Sequence, residues 1–234
     1  MLQSFMKRIE IEGIIPVKTL SVRVKNKNLR KFANTSLYEL KLKQLSRTTQ
    51  FKNFIVSSES QKVLDIAKRY NFKTHLRNKY YSTSTVPMSE VYSNLASQAN
   101  SEYVAWINVT NPLINSKIYD LAANTFKRKV FKSKYDCLLS AIENKENFFY
   151  DNKRVNFKRS PWPRSQDLNP LISLPFAVNI LKKKDLVKWG SCVGKNPFFF
   201  KLNPLLATDI DNQHNFDFCE FLYKNSKKYK INIF

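Results

Sequence analysis

The sequence predicts an α/β fold in which a mostly parallel sheet is covered by helices on both faces. Short apolar runs alternate with amphipathic segments of helical length, which is the pattern of strands joined by helical crossovers. Hydrophobic residues make up 43% of the chain and charged residues 25%, as in globular proteins. No repeat, Gly/Ser linker or low-complexity block marks a boundary, so we predict a single domain over residues 1–234.

The first half of the chain supplies most of the predicted parallel sheet. Apolar runs predict strands, in order, at 11–17, 54–58, 73–76 and 102–109. Apolar residues at helical spacing predict helices between and after them, at 36–45, 61–72, 89–99 and 116–128. Because such sheets bind ligands at the carboxyl ends of their strands, the loop after the first strand is a candidate site.

The alternation of strands and helices changes near residue 135. The segment 135–143 is strand-like, and 147–159 predicts a hairpin that turns at Asp151 and Asn152. We therefore expect an excursion from the sheet over about residues 140–170. The chain is then predicted to return through the segment 174–181, a short helix near 183–189, a strand at 197–202 and a last helix around 216–225.

The charge of the chain is strongly positive. Its 40 Lys and Arg residues against 18 Asp and Glu give a formal charge of +22, which attracts polyanions. Nucleic acid, nucleotides, anionic sugars and acidic lipid are all compatible with this charge. A chain rich in Lys, Asn and Ile with only 3 Gly is also what a biased base composition produces. No zinc finger, helix-turn-helix or RNP-type segment supports nucleic acid, which is the weaker hypothesis.

Cysteine and histidine usage does not favour a zinc site or a disulfide framework. Cys137, Cys192 and Cys219 form no CxxC pair, and only His75 and His214 are present to complete a site. No apolar stretch reaches the roughly 20 residues of a membrane span. The N-terminal segment also lacks the apolar centre of a signal peptide. We expect a cytoplasmic protein with no membrane partner.

A basic loop, residues 18–31, follows the first predicted strand. Its cations Lys18, Arg23 and Lys27, together with Ser21 and the loop amides, could clamp a triphosphate by charge-assisted hydrogen bonds. A run of cations is more often only a solvated face of a protein. The position of the loop at a strand's carboxyl end favours binding but does not decide between the two interpretations.

Two aspartates near the end of the chain form the clearest small motif. In an extended chain residues two apart point to the same side, so Asp209 and Asp211 can present both carboxylates to one cation. Mg²⁺ held by one or two carboxylates and by substrate phosphates is usual at phosphoryl-transfer sites. Aspartates before a helix can also serve as caps, so the pair alone is a weak signal.

Taken in order, the motifs of the chain resemble the acylneuraminate cytidylyltransferases, or CMP-sialic acid synthetases. The resemblance extends from about residue 11 to 226 and is carried by IIP, a basic loop closing on Lys27 and Asn28, FIVSSE, Leu76–Arg77, NVTNPL (108–113), RSQDL (164–168) and DID (209–211). It implies a Rossmann-like, three-layer nucleotide-diphospho-sugar transferase fold with a β-hairpin dimerisation excursion. It also implies a homodimer that uses CTP and Mg²⁺ to form a CMP-linked, sialic-acid-like nonulosonic acid and releases pyrophosphate.

The resemblance also implies roles for individual residues. The residues implied to bind the nucleotide are Lys18, Ser21, Arg23, Lys27, Asn28, Arg77 and Asn108. The acceptor sugar is implied to lie near Arg164 and Gln166, and the metal at Asp209 and Asp211. The residues implied to carry catalysis are Lys18, Lys27, Asp209 and Asp211. Such reactions depend mainly on positioning and charge neutralisation.

The basic loop departs from the family's pattern. The family's loop reads close to ARGGSKG, whereas residues 17–23 here contain no glycine, and the lysine after the loop serine is Val22. The family's Asn-Gly before a later strand is expected at Leu174 and Pro175. Glycine lets a backbone approach phosphate closely and adopt positive φ. The alternative hypothesis is therefore a catalytically impaired member that acts as a nucleotide- or sugar-binding scaffold.

Overall fold

A mixed sheet forms the centre of the fold in the computed structural model, which describes residues 9–21 and 23–234. The strands of the described residues are β1 (Ile11–Pro16), β2 (Lys31–Phe32), β3 (Thr35–Ser36), β4 (Asn53–Ser58), β5 (Lys73–Leu76), β6 (Tyr103–Trp106), β7 (Cys137–Asn144), β8 (Phe149–Tyr150), β9 (Lys153–Arg154), β10 (Leu171–Ser173), β11 (Asn179–Lys182) and β12 (Pro197–Lys201). The α-helices are α1 (Leu37–Leu45), α2 (Gln61–Lys68), α3 (Met88–Ala96), α4 (Ser116–Thr125), α5 (Lys183–Trp189) and α6 (Gln213–Lys224).

The order of strands across the main sheet is β10-β7-β11-β6-β1-β4-β5, and β12 pairs with β7. Strand β1 lies between β4 and β6 and is parallel to both. Strand β11 is antiparallel to its neighbours β6 and β7. The predicted mostly parallel sheet is therefore confirmed, and its carboxyl edge lies where β1, β4 and β6 end.

Helices cover both faces of the sheet, as the apolar runs predicted. Alternate residues of β1 enter different cores: Ile11 and Ile15 pack with α1, α2 and α4, whereas Ile14 packs with α3 and α5. A third cluster joins α1 to α6 through residues such as Leu40 and Phe216. Strands buried on both faces read as continuous apolar runs, which explains why the sequence revealed them. None of the helices in the described ranges has the length and apolar character needed to cross a bilayer.

Local signals set several element ends. Ser36 caps α1: its hydroxyl oxygen accepts a hydrogen bond from the Glu39 amide and donates one to the Glu39 carboxylate at 3.3 Å. Helix α2 ends at Lys68 rather than at residue 72 as predicted. The cause is Asn71, which adopts a left-handed φ of 58° and turns the chain into β5.

The excursion after β7 contains the predicted hairpin. Strands β8 and β9 pair across Asp151 and Asn152, whose φ values of 46° and 59° are those of a type I′ turn. The chain then returns as β10, which pairs with the end of β7. β10 is only three residues long, and its sequence pattern did not reveal it.

Candidate active site

A cavity of about 590 Å³ opens at the carboxyl edge of the sheet. The structure brings together in its lining all of the residues implied to bind nucleotide or metal, namely Lys18, Ser21, Arg23, Lys27, Asn28, Arg77, Asn108, Asp209 and Asp211. Arg164 and Gln166 do not line it. Both are exposed on the excursion, where Arg164 pairs with Asp167 at 2.7 Å. The cavity of a single chain therefore contains the nucleotide residues but not the two implied acceptor residues.

The basic loop is closed by side chains instead of by glycine. The Ser21 hydroxyl accepts a hydrogen bond from the Lys27 amide at 2.8 Å and donates to the Val24 carbonyl at 2.6 Å. Asn26 takes the left-handed conformation, with φ of 52°. Asn28 donates from Nδ2 to the Lys18 carbonyl at 3.1 Å. Ser21 thus holds the shape of the loop, while Val22 lies outside the described residues.

Glu59 anchors the other side of the loop. Its Oε1 accepts hydrogen bonds from both the amide and the hydroxyl of Thr19, each at 2.7 Å. Its Oε2 accepts from the Ser82 hydroxyl at 2.9 Å and from Arg77 at 3.2 Å. Arg77 also donates to the Val17 carbonyl at 2.9 Å. One carboxylate therefore ties the loop to Arg77 and to the segment after β5.

The ionisation of this anchor follows from its contacts. Burial raises the pKa of Glu59, but the hydrogen bonds from Thr19 and Ser82 outweigh it and lower that pKa from 4.5 to about 2. Burial also lowers the pKa of Arg77, against the opposing effect of the hydrogen bond and charge of Glu59. The pair is therefore ionised at neutral pH, and Arg77 presents a fixed positive charge to the cavity.

The two aspartates lie opposite the cations of the loop. Asp211 accepts from Arg23 at 2.8 Å, and the Lys27 ammonium is 3.9 Å from the same oxygen. Lys27 also donates to the Ile210 carbonyl. Burial lowers the pKa of Lys27, while Asp209 and Asp211 raise it in opposition. Burial and the charge of Asp211 raise the pKa of Asp209.

Several buried polar atoms in the cavity residues have no protein partner. In the described part of the chain these include Oδ1 of Asp209, Oδ1 of Asn28 and Nε of Arg77. Buried polar groups are nearly always satisfied, so these three atoms are available to hydrogen-bond or coordinate a bound ligand. The orphaned oxygen of Asp209 beside Asp211 fits a divalent cation held partly by substrate phosphates. Residues 9–21 and 23–234 contain no cluster of three or more His, Cys, Asp or Glu side chains that could hold a metal ion.

A buried asparagine connects the aspartates to the rest of the site. The Nδ2 atom of Asn111, a fully buried residue, donates to the carbonyls of Pro175 and Ala207, at 3.3 and 3.2 Å. The backbone carbonyl of Asn111 accepts a hydrogen bond from the Lys41 ammonium, which also donates to the Tyr119 hydroxyl at 2.6 Å. Burial lowers the pKa of Lys41 well below its usual range. This scaffold positions the segments before β11 and before Asp209.

One part of the cavity lining is apolar, a feature that the sequence analysis missed. We call it the apolar wall, and its residues are Tyr81, Val86, Met88, Val91, Tyr92, Trp106 and Phe176. Trp106 and Val91 belong to the core between the sheet and α3, and Phe176 packs against that core. The sequence motifs identified charged and hydroxyl residues as candidates for binding. Aromatic and aliphatic residues such as these are ordinarily assigned to the core, and only the cavity shows that they line a site.

The backbone next to the wall contains one left-handed residue. The left-handed position before β11 is Phe176, with φ of 50°, rather than Leu174 or Pro175. A bulky residue in this region is a genuine outlier. Leu174 and Pro175, the positions expected to match the family's Asn-Gly, directly precede this residue.

A family model described as "Cytidylyltransferase" matches residues 13–166, more than half of the chain. The chain belongs to the cytidylyltransferase family. This match confirms the family that the colinear motifs implied, and it spans the basic loop, Glu59, Arg77 and Asn108. Asp209 and Asp211 lie beyond the matched residues.

Curated relatives match at low identity over most of their length. A pseudaminic acid cytidylyltransferase of Campylobacter jejuni is 24% identical over 226 residues, 90% of this chain and 95% of the relative. The CMP-N,N'-diacetyllegionaminic acid synthase of the same species is also 24% identical, over 85% of this chain and 88% of the relative. A "post-translational flagellin modification protein B" of Campylobacter coli is 23% identical over 86% and 89%.

Solved structures of cytidylyltransferases share the fold. A CMP:2-keto-3-deoxy-manno-octonic acid synthetase, solved in complex with CTP, superposes with a TM-score of 0.67 at 8% identity, covering 93% of this chain and 99% of that chain. A 4-diphosphocytidyl-2C-methyl-D-erythritol synthase of Anaerococcus prevotii gives a TM-score of 0.65 at 12% identity, over 94% and 99%. The expected Rossmann-like nucleotide-diphospho-sugar transferase fold is confirmed.

Proposed function

We propose that this family member transfers CMP from CTP to a sialic-acid-like nonulosonic acid. One observation carries the proposal: four cations and the aspartate pair line the same cavity at the carboxyl edge of the sheet. The anomeric hydroxyl of the sugar attacks the α-phosphorus of CTP, the bond to the β-phosphate oxygen breaks, and the products are the CMP-sugar, pyrophosphate and a proton. The protein's contribution is to position the reactants and neutralise charge.

The triphosphate is proposed to bind at the basic loop through side chains. Lys18, Arg23 and Lys27 supply positive charge, and Arg77 adds a buried, fixed one. Ser21 holds the loop in the shape that brings Lys27 to the cavity. Asn28 and Asn108 offer amide groups to the cytidine. This division of roles replaces the backbone contacts that glycines provide in related loops.

Asp209 and Asp211 are the proposed ligands of Mg²⁺. The orphaned Oδ1 of Asp209 and the exposed face of Asp211 are suitable hard oxygen ligands. A bound Mg²⁺ would neutralise phosphate charge and orient the triphosphate. Arg23 and Lys27 hold Asp211 in the free protein and are available to the triphosphate once the carboxylate turns to the metal.

The acceptor is proposed to be a nonulosonic acid of the pseudaminic or legionaminic kind. This proposal rests on the names of two relatives, which each cover more than four fifths of this chain. It is supported by the apolar wall, because an N,N'-diacetyl sugar carries two acetyl methyl groups that an apolar surface can contact. The geometry gives no comparable support to the scaffold alternative, since every implied nucleotide residue still lines the cavity.

We also propose a homodimer formed through the excursion. Phe149, Tyr150 and Trp162 are each more than half exposed there. The Phe157 ring lies 5.2 Å from the Phe149 ring and 5.4 Å from the Trp162 ring. Exposed aromatic clusters of this kind mark interaction sites. In such a dimer, Arg164 and Gln166 would reach the acceptor from the partner copy.

We further propose a cytoplasmic location. The three free cysteines are consistent with a reducing compartment.

Pyrophosphate release from CTP tests the proposed reaction. With Mg²⁺ and N,N'-diacetyllegionaminic acid or pseudaminic acid, we expect release that EDTA abolishes. Asp209→Asn should lower the rate by about a hundredfold or more. Asp217→Asn, an exposed carboxylate on α6, is the matched control and should leave the rate unchanged. Equal rates for the two variants would remove Asp209 from the site.

A further inference from the structure

The cavity contains a strained aromatic residue for which the fold alone gives no reason. Phe176 has φ of 50°, a region that bulky residues avoid and glycine occupies readily. Such outliers persist only where the surrounding structure enforces them, and they cluster at ligand sites. A glycine at this position would give the same backbone path without strain, so the ring itself is the feature to be explained.

The backbone on both sides of Phe176 is fixed by buried groups. The preceding carbonyl, that of Pro175, accepts from the buried amide of Asn111. Two residues later, the Val178 amide donates to the Ser140 hydroxyl at 3.2 Å, and the Val178 carbonyl accepts from the Ser140 amide at 3.1 Å. Residues 177–182 then continue as buried chain and as β11. The position of the ring is therefore set by the same scaffold that places the segment before Asp209.

The surroundings of the ring are apolar although the cavity is otherwise charged. Phe176 packs against the core that contains Trp106 and Val91. The Tyr92 ring lies 4.5 Å from the Trp106 ring, and its hydroxyl contacts the Cys192 sulfur at 3.5 Å. The wall thus offers methyl-sized apolar contacts and no charged side chain. This surface offers no charged partner to a phosphate, whereas an acyl methyl group or a deoxy terminus can pack against it.

We propose that Phe176 is a specificity-determining residue that contacts an apolar substituent of the acceptor, either an N-acyl methyl group or a deoxy methyl terminus. The inference rests on the proposed cytidylyl transfer and adds what the site selects. Sugars with hydroxyl groups at the matching positions would place polar groups against a mainly apolar surface, so we expect them to bind more weakly. The cytosine base is the competing occupant, because aromatic side chains also stack on bases.

The test compares Phe176→Gly with Phe176→Ala. Both variants remove the ring, but only glycine relieves the left-handed backbone, so Phe176→Gly should unfold at a higher temperature than Phe176→Ala. For N,N'-diacetyllegionaminic acid, KM should rise about tenfold or more in both variants, while KM for CTP stays within twofold. The preference of the wild type for this sugar over N-acetylneuraminic acid should shrink by a similar factor. A purely structural role would make the kinetic loss follow the unfolding temperature instead.

A binding measurement keeps the inference testable apart from turnover. With CDP and Mg²⁺ present, saturation-transfer NMR should show enhancement at the acetamido and terminal methyl protons of N,N'-diacetyllegionaminic acid. Phe176→Ala should remove that enhancement while CDP signals persist. A raised KM for CTP, lost CDP signals, or methyl signals equal in both proteins would each overturn the inference. Absence of pyrophosphate release with intact methyl enhancement would instead refute only the proposed reaction.

Discussion

Replacing Glu59 with glutamine tests the anchor of the nucleotide loop. One carboxylate oxygen accepts two hydrogen bonds from Thr19, and the other accepts from Ser82 and Arg77. A glutamine can place its side-chain oxygen where it accepts from Thr19, but its amide nitrogen then points at the Ser82 hydroxyl and the Arg77 guanidinium, which are both donors. The substitution therefore removes the charge and also leaves the Ser82 and Arg77 groups without an acceptor.

The magnitude follows from the ionisation of Glu59. Its side chain is only 12% exposed, and its pKa falls from 4.5 to about 2 in the folded protein. At about 1.36 kcal/mol per pKa unit, the ionised form stabilises the fold by about 3 kcal/mol. Because the folded-state pKa is the lower one, this stabilisation is present above about pH 4.5 and is lost as the pH falls towards 2.

Urea unfolding of the wild type and Glu59→Gln between pH 7 and pH 3 measures this effect. The difference in free energy of unfolding should shrink by about 2 kcal/mol from pH 7 to pH 3. Asp65→Asn is a matched control, since Asp65 is an exposed carboxylate paired only with neighbours on α2, and it should change little at any pH. If the difference in free energy of unfolding between the wild type and Glu59→Gln is constant from pH 7 to pH 3, the assignment of Glu59 as an ionised anchor is refuted.

Further predictions concern a surface pair and a buried cation. Arg23→Ala should leave the unfolding temperature nearly unchanged, because the Arg23–Asp211 pair is exposed, but it should weaken CTP binding in calorimetry; unchanged affinity would remove Arg23 from the triphosphate site. Burial lowers the pKa of Lys41 below its unfolded value of 10.5, so the unfolded chain binds the proton more strongly and wild-type stability should rise as the pH approaches 10.5. Lys41→Met should abolish that rise in thermal unfolding, and equal slopes in the two proteins would contradict a lowered pKa of Lys41.

The sequence predicted the main sheet because its strands are buried on both faces and therefore read as apolar runs. The hairpin at Asp151 and Asn152 was also predictable, since a type I′ turn requires residues that tolerate positive φ. Strands β2, β3 and β10 were missed because segments of two or three residues carry no periodicity. Tertiary contacts alone define them.

The candidate site was predictable where a residue type suggests its chemistry. The cations of the basic loop and the aspartate pair could be recognised in this way, and the structure places them in one cavity. The role of Glu59 was not visible, since an acidic residue after a strand is ordinarily an exposed one. Phe176 was missed for the opposite reason, because an aromatic residue beside a strand usually indicates core. Only the backbone angle and the cavity together reveal its position.

The central claim is that a loop without glycine binds the triphosphate of CTP through its side chains. Calorimetric titration with CTP and with CMP, each in the presence of Mg²⁺, tests it most directly. The wild type should bind CTP at least tenfold more tightly than CMP, and Lys27→Met should remove most of that difference because Lys27 lies at the cavity between the loop and Asp211. Equal affinities of the wild type for CTP and CMP would contradict the claim.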